Sequence, residues 1–383
     1  MSRININLDA LKHNVSAVKR LMDMHSAKWV AVTKALCGNE DLLQALRLMG
    51  VPAIGDSRLS NLESAREVIP DVERWYLRGP LPSVVDEVVR CSEVSLNSEI
   101  ETIELLNSEA AKQDRMHGII IMVELGDLRE GILPGGLIKF YEHVFELPNI
   151  NVLGIGANLG CLAGAVPTVD QLMQLVLYRE LLELKFDHKL PLCSAGTTAT
   201  LPLMLNGQLP ETVNHFRIGE ALLLGTDLIN GGQLPYMRGD VFTLEAEISE
   251  IKEKGLVPLA ETAPVSRMAE IEQEETTPGQ RGYRALVNVG QLDTDLTGLT
   301  PVDPSHKVAG GSSDITVVNL GEETGGLRVG DLITFKVNYS ALVRLMMSKY
   351  IDKVFTPALP EFASRHMSDA TSVRLSEMTG IHR

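Results

Sequence analysis

The sequence is short of cysteine, of basic charge and of long apolar runs, and each shortage removes a class of function. Its four cysteines, Cys37, Cys91, Cys161 and Cys193, are widely spaced among 383 residues. They match no zinc pattern, so they read as reduced thiols and no metal site is expected. The formal net charge is −15, which argues against a nucleic-acid partner or an anionic membrane surface. No apolar run approaches the roughly 20 residues that a membrane-spanning helix needs. The amino-terminal stretch MSRININLDALKHNVSAVKRL is polar throughout and has no continuous signal core. A cytoplasmic protein is therefore expected. Hydrophobic residues make up 44% of the chain, enough for a large core, and the length suggests two domains.

The apolar pattern begins with Leu8, Leu11, Val15, Val18 and Leu21 at helical spacing. The stretch Lys28 to Leu36, KWVAVTKAL, then reads as a strand buried on both faces that ends on Lys34. Seven further apolar runs follow: VPAIGDS, ERWYLRG, CSEVSLNS, HGIIIMVELGD, INVLGIGANLG, LPLCSAGTT and VNHFRIGEALLLG. Amphipathic segments such as SRLSNLESAREV and TVDQLMQLVLYRELLELKF separate them. This alternation predicts a (β/α)8 TIM-type barrel over residues 10–232, with an open doubly wound sheet as the alternative. The runs end in polar or small residues: Lys34, Asp56, Arg78, Asn97, Glu124 to Arg129, Asn158, Thr197, Thr198 and Arg217. Polar groups gathered at the carboxyl ends of barrel strands form a catalytic mouth. Cys37 is close to Lys34 but has no nearby histidine or cation cluster to make a thiolate. The glycines of GIGANLG read as a tight barrel turn, because no acidic residue follows at the dinucleotide-binding distance.

Beyond Gly232 the period changes to two. Phe242, Leu244, Ala246 and Ile248 alternate with polar residues, and similar strands recur at RALVNVGQ, SDITVVNLG and DLITFKVNY. Residues 233–357 are read as an all-β domain, which residues 1–9 are expected to join as a strand. Residues 270–282 are expected to form an exposed loop, and 358–383 a poorly ordered tail.

A lysine ending the first barrel strand, an Arg-x-Gly at the eighth and a trailing β domain together resemble the fold-type III, pyridoxal phosphate-dependent alanine racemase superfamily. VTKALCGNED, DSRLSNL, VSLNSEIET, IIIMVELGDLREGI, FRIGEALLLGTD and VGQLDTD look most like its ornithine racemase branch. The likeness runs from about Ile4 to Phe355. It implies that the amine of Lys34 condenses with the cofactor aldehyde and, once released, moves a proton at the substrate Cα. Arg217 matches the arginine that faces the pyridine nitrogen. A permanent cation there makes the ring a weaker electron sink, which suits racemisation better than decarboxylation. Thr197, Thr198 and Gly219 fall where the cofactor phosphate is held, near the ends of strands seven and eight. Asn158 matches a residue stacked on the cofactor ring, and Arg129 one that steers the cofactor oxygen and the substrate carboxylate. The resemblance further implies a head-to-tail homodimer in which each β domain completes the other subunit's site.

Two departures from the family pattern stand out. Gly38 replaces a tyrosine that contacts the phosphate, and Gln291 occupies the place of the tyrosine base. Glutamine cannot titrate, so the second base falls to Asp293, Asp314 or Tyr339, and the sequence does not choose among them. Asp293 and Asp295 could instead pair with a cationic substrate side chain, as ornithine or lysine would present. The expected function is racemisation of a free basic amino acid. The alternatives are decarboxylation or aldol cleavage on the same fold, or cofactor binding without turnover.

Overall fold

A computed structural model of the chain describes residues 2–160, 164–256 and 279–365. The chain divides into two compact units. One comprises Lys12–Lys34 and Gly38–Arg238; the other comprises Met1–Leu11, Ala35–Cys37 and Gly239–Arg383. Strand β1 (Arg3–Asn7) belongs to the second unit, and the predicted first helix is found at Leu8–Met24.

The first unit is built on eight strands: β2 (Lys28–Val32), β3 (Ala53–Asp56), β4 (Glu73–Tyr76), β5 (Val94–Asn97), β6 (His117–Met122), β7 (Ile150–Gly156), β8 (Leu192–Thr197) and β9 (His215–Ile218). Each pairs in parallel with the next, and β9 pairs with β2, so the sheet closes into a barrel. All six residues of β6 are buried, as are all four of β3, β5 and β9. This two-sided burial is why the strands read as unbroken apolar runs. One face packs into the interior, where Val30, Trp75, Leu77, Leu96, Ile120 and Met122 form a single cluster. Burying each of these contributes about 1.5–3 kcal/mol.

The pairing of β8 with β9 is irregular: Ser194 lies opposite His215 and Gly196 opposite Phe216, two steps against one. A Cβ on Gly196 would sit 1.9 Å from the Phe216 ring, so only glycine lets the strands approach there. At the other seam Val30 is in register with Arg217. The seams therefore bring the carboxyl ends of β2, β8 and β9 together.

The second unit contains β10 (Phe242–Gly255), β11 (Arg281–Val287), β12 (Leu299–Pro301), β13 (Lys307–Gly311), β14 (Thr316–Gly321), β15 (Leu332–Val337) and β16 (Asp352–Thr356). Their order is β12-β15-β10-β11-β14-β13, and β1 pairs antiparallel with β10 and parallel with β16. Along β10, Phe242, Leu244, Ala246 and Ile248 are buried while the residues between them are not, as the period of two requires. The helix Tyr339–Met347 is capped by Asn338, whose side chain accepts from the Ala341 N–H at 2.9 Å.

Residues 359–365 are helical and Phe362 is buried, while the rest of the predicted tail, 366–383, lies outside the described residues. So do Cys161 and most of the expected loop at 270–282. Among the described residues no helix is long and apolar enough to cross a membrane, and no cluster of His, Cys, Asp and Glu could hold a metal ion.

Candidate active site

In the barrel unit Lys34 lies two positions beyond the end of β2, opening the one-turn 3-10 helix Lys34–Leu36, and is half-buried. The residue before it is pinned. The Thr33 N–H donates to the Gly55 carbonyl at 2.8 Å, and its hydroxyl donates to Asp56 Oδ2 at 3.0 Å. Asp56 also accepts from the Arg58 N–H at 2.9 Å and from Asn61 Nδ2 at 3.2 Å. Burial nevertheless pushes its carboxyl above the ordinary range. Gly38 has φ +72°, and a Cβ there would lie 3.1 Å from Asn61 Oδ1. A side chain is therefore both strained and crowded at the position where the family pattern has tyrosine.

Arg217 is buried on β9 and held from two sides. Nη1 donates to the Ser194 carbonyl at 2.7 Å and to Ser194 Oγ at 2.6 Å; Nη2 donates to the Ala157 carbonyl at 2.9 Å and to Asn158 Oδ1 at 2.6 Å. Because arginine only donates, the carbonyl oxygen of Asn158 must face it. The amide nitrogen of Asn158 then points the other way and donates to Glu130. Glu130 also receives the guanidinium of Arg129, whose Nη2 lies 2.6 Å from Oε1. Burial raises the Glu130 carboxyl, but the hydrogen bonds and charge of Arg129, with the charge of Arg217, outweigh it and hold the group below its ordinary value. The loop presenting Arg129 is folded around Glu124, whose carboxylate accepts the N–H groups of Leu128 and Arg129 at 3.1 Å each.

At the end of β8, Thr197 Oγ1 accepts from the Ala199 N–H at 3.2 Å. Thr198 Oγ1 accepts from the Ala221 N–H at 3.2 Å and so ties the turn after β8 to the turn after β9. Gly219 starts that second turn, and a Cβ on it would come within 3.0 Å of Val32 Cβ. Lys34, Arg129, Asn158, Thr197, Thr198, Arg217 and Gly219 all lie at or just beyond the carboxyl ends of barrel strands.

The β unit gathers the remaining candidates. Gln291 and Leu292 donate backbone N–H groups to Ser312 and Ser313 carbonyls, both at 3.0 Å, which sets the 290–295 turn against the 312–314 loop. Asp293 accepts from the Gly290 N–H at 3.1 Å and from the Ser348 hydroxyl at 3.5 Å. Asp314 is exposed and accepts from the Ser313 hydroxyl at 2.7 Å. Tyr339 is half-buried at the first position of its helix. Next to it the Ser340 hydroxyl donates to Asp295 at 2.6 Å; with the Thr297 hydroxyl at 2.7 Å, this keeps the Asp295 carboxyl below its ordinary value. Cys37 Sγ lies 3.9 Å from the Val343 carbonyl.

Three further residues organise the barrel site: Glu130, which sequence reasoning gave only as an ion-pair partner for Arg129, and Ser194 and His215, which it passed over. Glu130 bridges Arg129 and Asn158. Ser194 and His215 lie behind Arg217, and His215 was open to detection because residues two apart on a strand share a face.

The family model for the alanine racemase N-terminal domain matches residues 6–227. An ornithine racemase of Acetoanaerobium sticklandii is 34% identical over 352 residues, spanning 92% of this chain and 98% of that one. A lysine racemase of Thermotoga maritima is 31% identical over 359 residues, spanning 93% and 99%. The chain belongs to the alanine racemase family. Enzymes of this family are pyridoxal phosphate-dependent amino-acid racemases, and this chain is one of them. Among solved structures, the alanine racemase of Streptomyces coelicolor superposes with a TM-score of 0.70 at 18% identity, covering 92% of this chain and 97% of that one. An alanine racemase of Bartonella henselae with covalently bound pyridoxal phosphate does so with a TM-score of 0.67 at 16% identity, covering 92% and 99%. At such identities these likenesses bear on the fold alone.

Proposed function

We propose that this racemase interconverts the L- and D-forms of a free basic amino acid, ornithine or lysine, with pyridoxal phosphate held at the carboxyl end of the barrel. The observation that carries the reading is Arg217, a buried permanent cation clamped by Ser194, Ala157 and Asn158 at a strand end. The two relatives with basic substrates, similar over more than nine-tenths of the chain, support the substrate class.

The residues present fit the cofactor. Lys34 would supply the amine that anchors its aldehyde, and Arg217 and Asn158 would hold its ring, Arg217 toward the ring nitrogen. The cofactor phosphate needs close approach to backbone, and Gly219 offers it, since a side chain there would meet Val32. Thr197 and Thr198 stand on the facing turn. When bound, pyridoxal phosphate supplies the electron-withdrawing ring that makes the Cα proton removable.

Lys34 takes or returns that proton on one face. Arg217, fixed as a cation, would disfavour a proton on the ring nitrogen and so limit side reactions. Arg129 attracts the substrate carboxylate while Glu130 holds its guanidinium in place. The β unit of the partner subunit in a head-to-tail homodimer supplies the proton on the other face. Asp293 accepts from the Gly290 amide and Ser348, and Asp314 from the Ser313 hydroxyl, so Asp293, Asp314 and Tyr339 all stand as second-base candidates. Asp295, kept anionic by two hydroxyls, suits the cationic end of ornithine or lysine. We place the enzyme in the cytoplasm, without a nucleic-acid or membrane partner. The test is incubation of the purified protein with pyridoxal phosphate and L-ornithine or L-lysine, followed by chiral chromatography. Absence of D-isomer from every basic amino acid rejects the proposal.

A further inference from the structure

Arg217 rests on Ser194, and Ser194 in turn rests on His215. The Ser194 Oγ lies 2.6 Å from Arg217 Nη1 and 2.7 Å from His215 Nδ1, with all three residues buried. Arginine can only donate, so Ser194 Oγ accepts on that side and its single hydroxyl proton is free for the other. His215 Nδ1 lies within reach as the acceptor for that proton, and this assignment gives His215 a neutral imidazole carrying its proton on Nε2. The ring is stacked on Trp75, with centroids 4.5 Å apart and planes 16° apart, which keeps Nδ1 turned toward Ser194. Donating its own proton makes the serine oxygen a better acceptor for the guanidinium, since hydrogen bonds in a chain reinforce one another.

We propose that His215 is a positioning residue for the racemase reaction: through the Ser194 hydroxyl it fixes the guanidinium of Arg217 against the cofactor ring. This rests on the reading that Arg217 faces the ring nitrogen of pyridoxal phosphate. A histidine that served only to fill space against Trp75 would be defined by its shape. The positioning role is defined instead by an acceptor at the Nδ1 position, and the two roles rank substitutions in opposite order. His215→Phe keeps the aromatic shape and removes the acceptor; a cavity of about 510 Å³, lined by Lys28, Trp75 and His215, has room for the slightly larger ring. His215→Asn loses the stack but keeps an acceptor oxygen close to where Nδ1 stood.

The experiment compares wild type, His215→Phe, His215→Asn, Ser194→Ala and the Ser194→Ala/His215→Phe double variant. It reads pyridoxal phosphate affinity, the visible absorption of the bound cofactor, and kcat and KM for the basic amino acid. In His215→Phe the serine proton has no acceptor, so kcat should fall roughly tenfold or more with KM little changed. The absorption band should shift, while His215→Asn stays near wild type. Ser194→Ala should match the Phe variant, and the double variant should be no worse than either single one, because all three interrupt the same chain. A Phe variant with wild-type kcat and spectrum, an Asn variant worse than the Phe variant, or additive losses in the double variant would each overturn the proposal.

A second readout does not need the cofactor. In the apo-protein, ¹⁵N chemical shifts of His215 should report the Nε2–H tautomer, and an Nδ1–H tautomer overturns the relay. A wild type that binds no pyridoxal phosphate sinks the functional reading, while the tautomer still decides the geometry.

Discussion

Mild acid should destabilise this protein through two buried histidines. Burial, then the charge of Arg115, pushes His117 down to about 3. Burial, then the charges of Arg217 and Lys28, pushes His215 down to about 3 as well. In the unfolded chain both return to about 6.5, so there they take up protons that the folded state refuses. The unfolded state binds more protons below that pH, and stability falls on acidification, beginning near pH 6.5 and continuing toward 3. A pH of about 5 lies roughly 1.5 units below the unfolded pKa of each imidazole. At ~1.4 kcal/mol per unit the loss is about 2 kcal/mol each, or about 4 kcal/mol together. That is a large fraction of the roughly 5–15 kcal/mol that holds a typical domain folded.

Most carboxylates contribute little in this window because they titrate lower, and Asp56 and Glu220, raised by burial, work in the opposite direction. The measurement is urea unfolding followed by circular dichroism at about pH 7 and about pH 5, for wild type and His117→Gln. Whatever the substitution costs at neutral pH, it should remove about half of the acid-induced loss. An equal loss in both proteins would refute the assignment of that slope to buried neutral histidines.

Three further outcomes follow from the geometry. Borohydride treatment of the protein with pyridoxal phosphate should attach the cofactor covalently at Lys34, seen by peptide mass spectrometry, and Lys34→Ala should lose both the label and the colour. Gly196→Val should destabilise the barrel by about 3 kcal/mol or more, read as a lower thermal midpoint, because even its Cβ would lie 1.9 Å from the Phe216 ring. Of Asp293→Asn, Asp314→Asn and Tyr339→Phe, the one that removes the second base should stop Cα exchange with solvent deuterium from one enantiomer while leaving exchange from the other measurable.

The fold was legible in the sequence wherever a strand's pattern is a local property. Runs such as HGIIIM, and the WVA of β2, are buried on both faces and need no knowledge of their partners, so the eight barrel strands could be counted. The alternation from Phe242 to Ile248 exposed the β sheet in the same way. Strands β12, β13 and β16 were not legible: Lys307–Gly311 reads KVAGG, with two glycines and no alternation, and is a strand because β14 lies beside it. Their short lengths leave the pairing partner, not propensity, to decide.

The candidate site divides along the same line. Lys34 and Arg217 stood out as unusual residue types at strand ends, and strand ends can be placed from the pattern. Glu130, Ser194 and His215 are ordinary residue types, and what they do depends on register. The relay behind Arg217 requires Ser194 to face His215, and that pairing exists only because β8 slips against β9 at Gly196, where the Phe216 ring closes over the missing Cβ. Asn158 makes the same point through orientation. Its amide has one acceptor side and one donor side, and only the arrival of Arg217 on one and Glu130 on the other decides which way it points. Residue type can therefore be read from a single strand end, whereas the direction in which a buried polar group is held needs at least two, because its hydrogen bonds are made to neighbours that the chain brings up from elsewhere.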